Sequence, residues 1–159
     1  MRRFSKARAG FRRGCAAVFI FVILCTFALG GLPRETKAAG AVRFELCGGG
    51  PRQNCVVDGD TFHMDGVKIR VADIDAPETH PARCEHEAWL GARATHRLLQ
   101  LLNQGPFELR SWPGRDEDQY GRKLRVVVRN GRSLGDMLVA EGIARTWTGR
   151  RLPWCDQDM

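Results

Sequence analysis

Between positions 58 and 78 the chain carries six carboxylates, Asp58, Asp60, Asp65, Asp73, Asp75 and Glu78, together with Arg70. They fall in two runs, Val57-Asp58-Gly59-Asp60-Thr61 and Arg70-Val71-Ala72-Asp73-Ile74-Asp75-Ala76-Pro77-Glu78, in which strand-forming residues alternate with glycine and proline. Carboxylates held at a strand end and in the following loop can converge on a hard cation such as Ca²⁺, which takes oxygen ligands in flexible geometry. Asp and Gly also build turns regardless of function, and the spacing is not that of a helix–loop–helix calcium site. Further on, Asp118-Gln119-Tyr120-Gly121-Arg122 brings an acid, a phenol and a guanidinium beside a strand pattern, although alone it also fits a solvated loop. His63, His80, His86 and His96 form no obvious set, and there is no Gly-rich phosphate loop, nucleophile elbow or HExxH.

Short strands must position these groups. Val42, Phe44 and Leu46 alternate with polar neighbours, and segments 54–58, 61–65 and 68–72 follow through glycine turns, which predicts a curled antiparallel sheet. Segment 73–83, with Pro77 and Pro81, reads as a loop. Segment 85–103 is the one long helix: Ala88, Ala92, Leu99 and Leu102, with Trp89, His96 and Leu98 nearby, form an apolar stripe, and Gly105-Pro106 stops it. Segments 107–111 and 123–129 predict two further strands, and Asn130-Gly131 a tight turn. Ser133, with Asp136 three residues later, caps a short helix ending at Gly142, and 143–147 is a last extended piece. Five main strands with a helix over one end suit a mainly β fold with helices (α+β), a small open or closed barrel of the oligonucleotide-binding-fold (OB-fold) type.

The formal charge of +7 resides entirely in residues 1–39, leaving the remainder neutral. Net charge therefore gives no general attraction to polyanions beyond position 39. Arg2, Arg3, Lys6, Arg8, Arg12 and Arg13 precede a largely apolar run over 15–32, which is the pattern of an export signal. Thr36 and Ala38 are spaced as a cleavage site requires; an uncleaved membrane anchor is the alternative. The expected organisation is a leader or anchor over 1–39, then one domain over 40–159 in an extracytoplasmic location. Cys47, Cys55, Cys84 and Cys155 in so short an exported domain suggest two disulfides with three possible pairings. Cys47–Cys55 across Gly48-Gly49-Gly50-Pro51 and Cys84–Cys155 at the C-terminus are favoured, and the lack of a CxxC pair argues against zinc.

Asp58-Gly59-Asp60-Thr61, the run from Arg70 to Glu78 and Asp118 to Arg122 resemble the three signature segments of the staphylococcal nuclease (thermonuclease) family, in the family's order. Leu138-Val139-Ala140-Glu141-Gly142-Ile143-Ala144 is similar to its second helix and following strand, so the resemblance covers about 42–148. It implies a five-stranded OB-fold barrel and a calcium-dependent endonuclease that hydrolyses DNA or RNA to 3′-phosphorylated products. Asp60, Asp75 and the Ala76 carbonyl then correspond to calcium ligands, and family members often carry threonine at the last position. Glu78 corresponds to the general base, Arg70 and Arg122 to the phosphate-binding arginines, Asp58 to an outer turn acid, and Tyr120 to a tyrosine near the nucleotide phosphate.

Two departures stand out. Only 12 residues follow Trp147, too few for the secreted staphylococcal enzyme's C-terminal helix, and they include Arg150-Arg151, Pro153 and Cys155. Thr148 and Arg150 stand near the positions of that enzyme's base-lining aromatics, leaving Trp112 or Trp147 as substitutes. The competing class is a non-catalytic nucleic-acid or protein-binding module of the same fold, which loss of these carboxylates or arginines would mark. All are present. The expected partner is nucleic acid, with a monomeric chain, no obligate protein partner, and membrane contact only through an uncleaved leader.

Overall fold

A computed structural model of the chain describes residues 42–155. In chain order come β1 (Glu45–Leu46), β2 (Cys55–Asp58), β3 (Thr61–Met64), β4 (Val67–Val71), β5 (Ile74–Asp75) and α1 (Glu85–Asn103). They are followed by β6 (Glu108–Ser111), β7 (Lys123–Arg129), β8 (Arg132–Ser133), α2 (Leu134–Ala140) and β9 (Arg145–Thr146). The main sheet runs β1-β2-β3-β4-β7-β6, β8 adds to β7, and β5 pairs separately with β9. Strands β2, β3 and β4 form an antiparallel meander. Its Asp65-Gly66 turn holds both residues at positive φ, 50° and 79°, the hairpin geometry that matches strand twist. Because β7 then joins β4 in parallel, Arg70 lies between Thr61 on one neighbour and Leu124 on the other.

The OB-fold barrel expected from the sequence is corrected here: the fold is mixed α/β, with an open seven-stranded sheet. Closure requires the two edge strands to meet. One edge is taken by β1, laid parallel on β2 beside the Cys47–Cys55 disulfide. At the other edge the four-residue β6 pairs with β7 alone.

Helix α1 buries Leu90, Ala94, Leu98, Leu101 and Leu102 in the cluster that contains Phe44, Phe62, Val71 and Phe107. Each fully buried leucine contributes about 1.5–3 kcal/mol. Phe44 and Phe62 meet edge to face with ring centroids 5.8 Å apart. The buried face is rotated from the expected stripe: Ala92 and His96 are exposed, and Trp89 is 56% exposed. Part of the reason is Glu87. It is buried, accepts the Arg83 N–H at 2.7 Å, and puts a carboxylate on the inward face. The short helix α2 is capped as expected, with Ser133 Oγ accepting from the Asp136 N–H at 3.3 Å.

Both favoured disulfides form, and Cys84–Cys155 ties the C-terminal segment to the N-cap of α1. The membrane part of the expected location is also corrected: among the described residues no helix is long and apolar enough to cross a membrane. The leader or anchor over 1–39, on which the extracytoplasmic expectation stands, lies outside the described residues.

Candidate active site

The three sequence segments meet at the end of the meander. The β2–β3 turn is held by Asp58 Oδ1, which accepts the Asp60 N–H at 3.0 Å. This turns Asp60 inward, where it is only 2% exposed. Its Oδ1 accepts from Thr61 Oγ1 at 2.8 Å and its Oδ2 from Arg70 Nη1 at 2.5 Å. Arg70 is itself buried; its Nη2 donates to the Ile74 carbonyl at 3.2 Å and stands 4.0 Å from Asp75 Oδ1. One guanidinium thus bridges the strand-end carboxylate and the loop that carries the next.

Close packing brings that loop to the turn. Gly59 has no room for a side chain: a Cβ there would lie 2.6 Å from the Ala94 Cβ and 2.8 Å from the Ala76 Cβ. Gly91 of α1 is equally constrained, since a Cβ would lie 2.7 Å from the Glu78 carbonyl oxygen and 2.8 Å from that of Pro77. The helix, anchored by its leucines, is therefore the surface against which both the Asp58–Asp60 turn and the Ala76–Glu78 segment are set. Pairing of β5 with β9 fixes the far side and leads into Trp147, whose N–H donates to the Asp73 carbonyl at 2.8 Å. Its ring lies 5.3 Å from the Arg70 guanidinium carbon.

Arg122 arrives from the β6–β7 connection. Asp118 organises that loop, with Oδ1 accepting the N–H groups of Tyr120 and Arg122 at 2.9 and 3.0 Å and Oδ2 accepting Arg122 Nε at 2.6 Å. Arg122 Nη1 then donates to Thr61 Oγ1 at 3.2 Å, completing a chain from Asp118 through Arg122 and Thr61 to Asp60. Burial would raise the Asp118 carboxyl, but the bonds from Arg122 and Tyr120 outweigh it and hold the pKa below the usual carboxylate value. Tyr120 is 72% exposed, beside the Arg122 guanidinium. Arg70, Arg122, Trp112, Tyr120 and Trp147 all line one cleft of about 420 Å³.

The acidic side carries unusual proton affinities. Burial, then the charges of Asp60 and Glu78, push Asp58 up to about 7. Burial also raises Asp75, with Arg151 opposing and Asp60 reinforcing the rise. Asp75 is 4% exposed, and its buried Oδ1 accepts no hydrogen bond. Buried carboxylates of this kind need a positive charge near them. Arg151 from the C-terminal segment supplies one: Nη1 bonds Glu78 Oε1, Nε lies 3.3 Å from Asp75 Oδ1, and Nη2 lies 3.8 Å from Asp60 Oδ2.

The expected site residues therefore divide. Asp60, Arg70, Asp75 and the buried Ala76 form one packed unit; Arg122 reaches it through Thr61; Glu78 reaches it through Arg151; Tyr120 stands outside at the mouth of the cleft. Among the described residues no group of three or more His, Cys, Asp or Glu is gathered as a ready metal centre. Sequence reasoning gave no role to Thr61, Asp118 or Arg151. The first two lie inside recognised segments, and Arg151 was detectable only as a basic residue four positions before a cysteine whose partner fixes the tail.

A family model described as staphylococcal nuclease homologue matches residues 68–156, from β4 onward, so Asp58 and Asp60 lie outside the match. Endonuclease YncB of Bacillus subtilis (strain 168) is 36% identical over 94 residues, covering 56% of this chain and 44% of the relative. The SPbeta prophage-derived endonuclease YokF of the same strain has the same identity over 94 residues, covering 56% of this chain and 31% of the relative. Micrococcal nuclease of Shigella flexneri is 34% identical over 76 residues, covering 45% of this chain and 38% of the relative. The chain thus spans less than half the length of each of these relatives.

Proposed function

The chain belongs to the staphylococcal nuclease homologue family, and we propose that it is a calcium-dependent phosphodiesterase that cleaves DNA or RNA and leaves 3′-phosphorylated products. The observation that carries this reading is the gathering of Asp60, Asp75 and Glu78 about Arg70 and Arg151, beside the cleft that Arg70, Arg122 and Arg151 line. A structural ion-pair network has no need for a second arginine aimed at Thr61, nor for a carboxylate oxygen buried without a hydrogen bond.

The residues suit the cation. Asp60, Asp75 and the Ala76 carbonyl offer oxygen donors alone, as a hard ion requires. The Asp75 oxygen, buried without a hydrogen bond and compensated only by the nearby arginines, marks a place where a cation is favourable. When bound, the ion would supply electrostatic stabilisation at a phosphoryl oxygen.

The chain's own groups account for the rest. Arg70 and Arg122 enter from β4 and from the Asp118–Arg122 loop, so their guanidinium planes grip one phosphate from two directions. Their hydrogen bonds to Asp60 and Asp118 hold the planes in advance, which lowers the reorganisation needed as charge develops. Glu78 follows Pro77 and keeps its carboxylate at the half-buried rim, where it accepts a proton from the attacking water. Tyr120 stands at the mouth of the cleft to orient the phosphate. Attack forms a bond from the water oxygen to phosphorus and breaks the bond to the 5′ oxygen, which leaves as a hydroxyl on taking a proton from solvent, so the phosphate stays on the 3′ oxygen.

Incubation of the full chain with single-stranded DNA and RNA, with Ca²⁺ or with chelator, followed by end-group analysis, tests this reading. Cleavage with Ca²⁺ alone and 3′-phosphate ends is the expected result. Binding without cleavage under both conditions would mean a non-catalytic module instead.

A further inference from the structure

Arg151 lies outside the segments that carry the proposed chemistry, yet it touches all three of their active-site carboxylates. Its Nη1 bonds Glu78, its Nε is 3.3 Å from Asp75, and its Nη2 is 3.8 Å from Asp60. The remaining charge compensation at Asp60 and Asp75 comes from Arg70, which is built into β4 and bonded to the Ile74 carbonyl. Arg151 has no such anchorage in a strand. It sits in the C-terminal segment after β9, with a side chain 39% exposed, and is held near the site by what flanks it. On one side Arg145 donates to the Pro153 carbonyl at 2.9 Å and stacks on Trp154 at 3.7 Å. On the other, Cys155 is covalently joined to Cys84 at the start of α1.

We propose that Arg151 is a tethered counter-cation of the active site, which a divalent cation must displace from Asp60, Asp75 and Glu78. The inference rests on the reading of Asp60 and Asp75 as cation ligands. A guanidinium and a divalent ion neutralise the same carboxylates, so the two compete for them. That competition is intramolecular, and the Cys84–Cys155 tether confines Arg151 beside the carboxylates and so raises its effective concentration, on the order of millimolar or above. Without the cation, Arg151 also occupies Glu78, so the proposed general base is withheld until the ion arrives. Displacement does two things at once: it opens the cation site and releases Glu78. Arg151 is then a positioning residue, and its signature lies in cation affinity.

Calorimetric titration of the full chain with Ca²⁺ is the test. Arg151→Gln should bind Ca²⁺ roughly fivefold more tightly than wild type, the scale of a part-exposed ion pair. Its cation-free melting temperature should fall, and added Ca²⁺ should raise it by more than in wild type. Arg151→Lys keeps the charge without the fork and should lie between the two. The double variant C84S/C155S, in which Arg151 is present but untethered, should also tighten Ca²⁺ binding and keeps the test open should Arg151→Gln fail to fold. Wild type that binds no Ca²⁺ would overturn the cation-site reading and this inference with it. Wild type that binds Ca²⁺, with Arg151→Gln and C84S/C155S equal to it or weaker, would overturn the inference alone. Weaker nucleic-acid binding by Arg151→Gln at unchanged Ca²⁺ affinity would also overturn it and assign Arg151 to the phosphate.

Discussion

The site has two sides built by different means. On the sheet side, Thr61 and Arg70 sit on paired strands and Asp60 on the turn between β2 and β3, each less than a tenth exposed, and each is bonded to another member of the group. On the loop side, Glu78, Tyr120 and Arg151 lie on connections or the C-terminal segment, half-buried or exposed, with Tyr120 72% exposed. A cation and a phosphate need donors whose positions do not shift when charge arrives, and strand register provides them. Proton transfer and substrate entry need groups that water and nucleic acid can reach, and loops provide those. Under the proposed function, this division would give binding of charge to the sheet and reaction to the loops, joined by α1.

Changes on the sheet side should have the largest effects. Arg70→Lys keeps the charge but removes the fork that spans Asp60 and the Ile74 carbonyl. It should lower single-turnover cleavage on the order of 10²-fold or more, the scale of a lost transition-state donor. Substrate binding should fall much less, because the contact strengthens as charge develops. Undiminished cleavage by this variant would end the idea that the sheet side grips the phosphate.

The joint between the sides offers a subtler test. Gly91→Ala gains helix propensity of roughly 1 kcal/mol, but its Cβ would press on the Pro77 and Glu78 carbonyl oxygens. The helix is pinned by Leu90, Ala94 and Leu98 in the core, so the loop must yield and carry Glu78 with it. Cleavage should drop on the order of tenfold, since small displacements of a reacting group are costly. Thermal stability should fall as well, because both contacts are to backbone atoms, while Ca²⁺ affinity should change less than cleavage does. A Gly91→Ala variant as active as wild type would show that Glu78 does not depend on α1 for its position.

The two sides also differed in how far the sequence disclosed them. On the sheet side, alternating residues and glycine turns predicted strands over 61–65 and 68–72, against the observed Thr61–Met64 and Val67–Val71. Helix α1 spans the predicted 85–103. Its inward face differs from the predicted stripe, because Glu87 is buried with its carboxylate accepting the Arg83 N–H, while Trp89 faces out beside His86 and Arg93. Local pattern cannot report a bond of that kind. Barrel closure was also beyond it. Whether β6 meets the opposite edge depends on β1 occupying that edge, a matter of contacts far apart in sequence. Both disulfides were foreseen, yet the consequence of Cys84–Cys155 for Arg151 was not. Four residues separate Arg151 from the cysteine, but the carboxylates it meets lie more than seventy positions away.

The assignment of charge binding to one side and reaction to the other is tested most directly by pairing one variant from each side in the same two assays. Asp60→Asn and Glu78→Gln are each measured for Ca²⁺ affinity by calorimetry and for single-turnover cleavage at saturating nucleic acid. Asp60→Asn should lose both together, because the cation no longer finds its strand-end ligand. Glu78→Gln should keep Ca²⁺ binding at wild-type strength or better, while its cleavage rate falls on the order of 10²-fold, the low end for a lost proton acceptor. Cleavage by Glu78→Gln at the wild-type rate, or full Ca²⁺ affinity in Asp60→Asn, would contradict the division and place the chemistry elsewhere in the molecule.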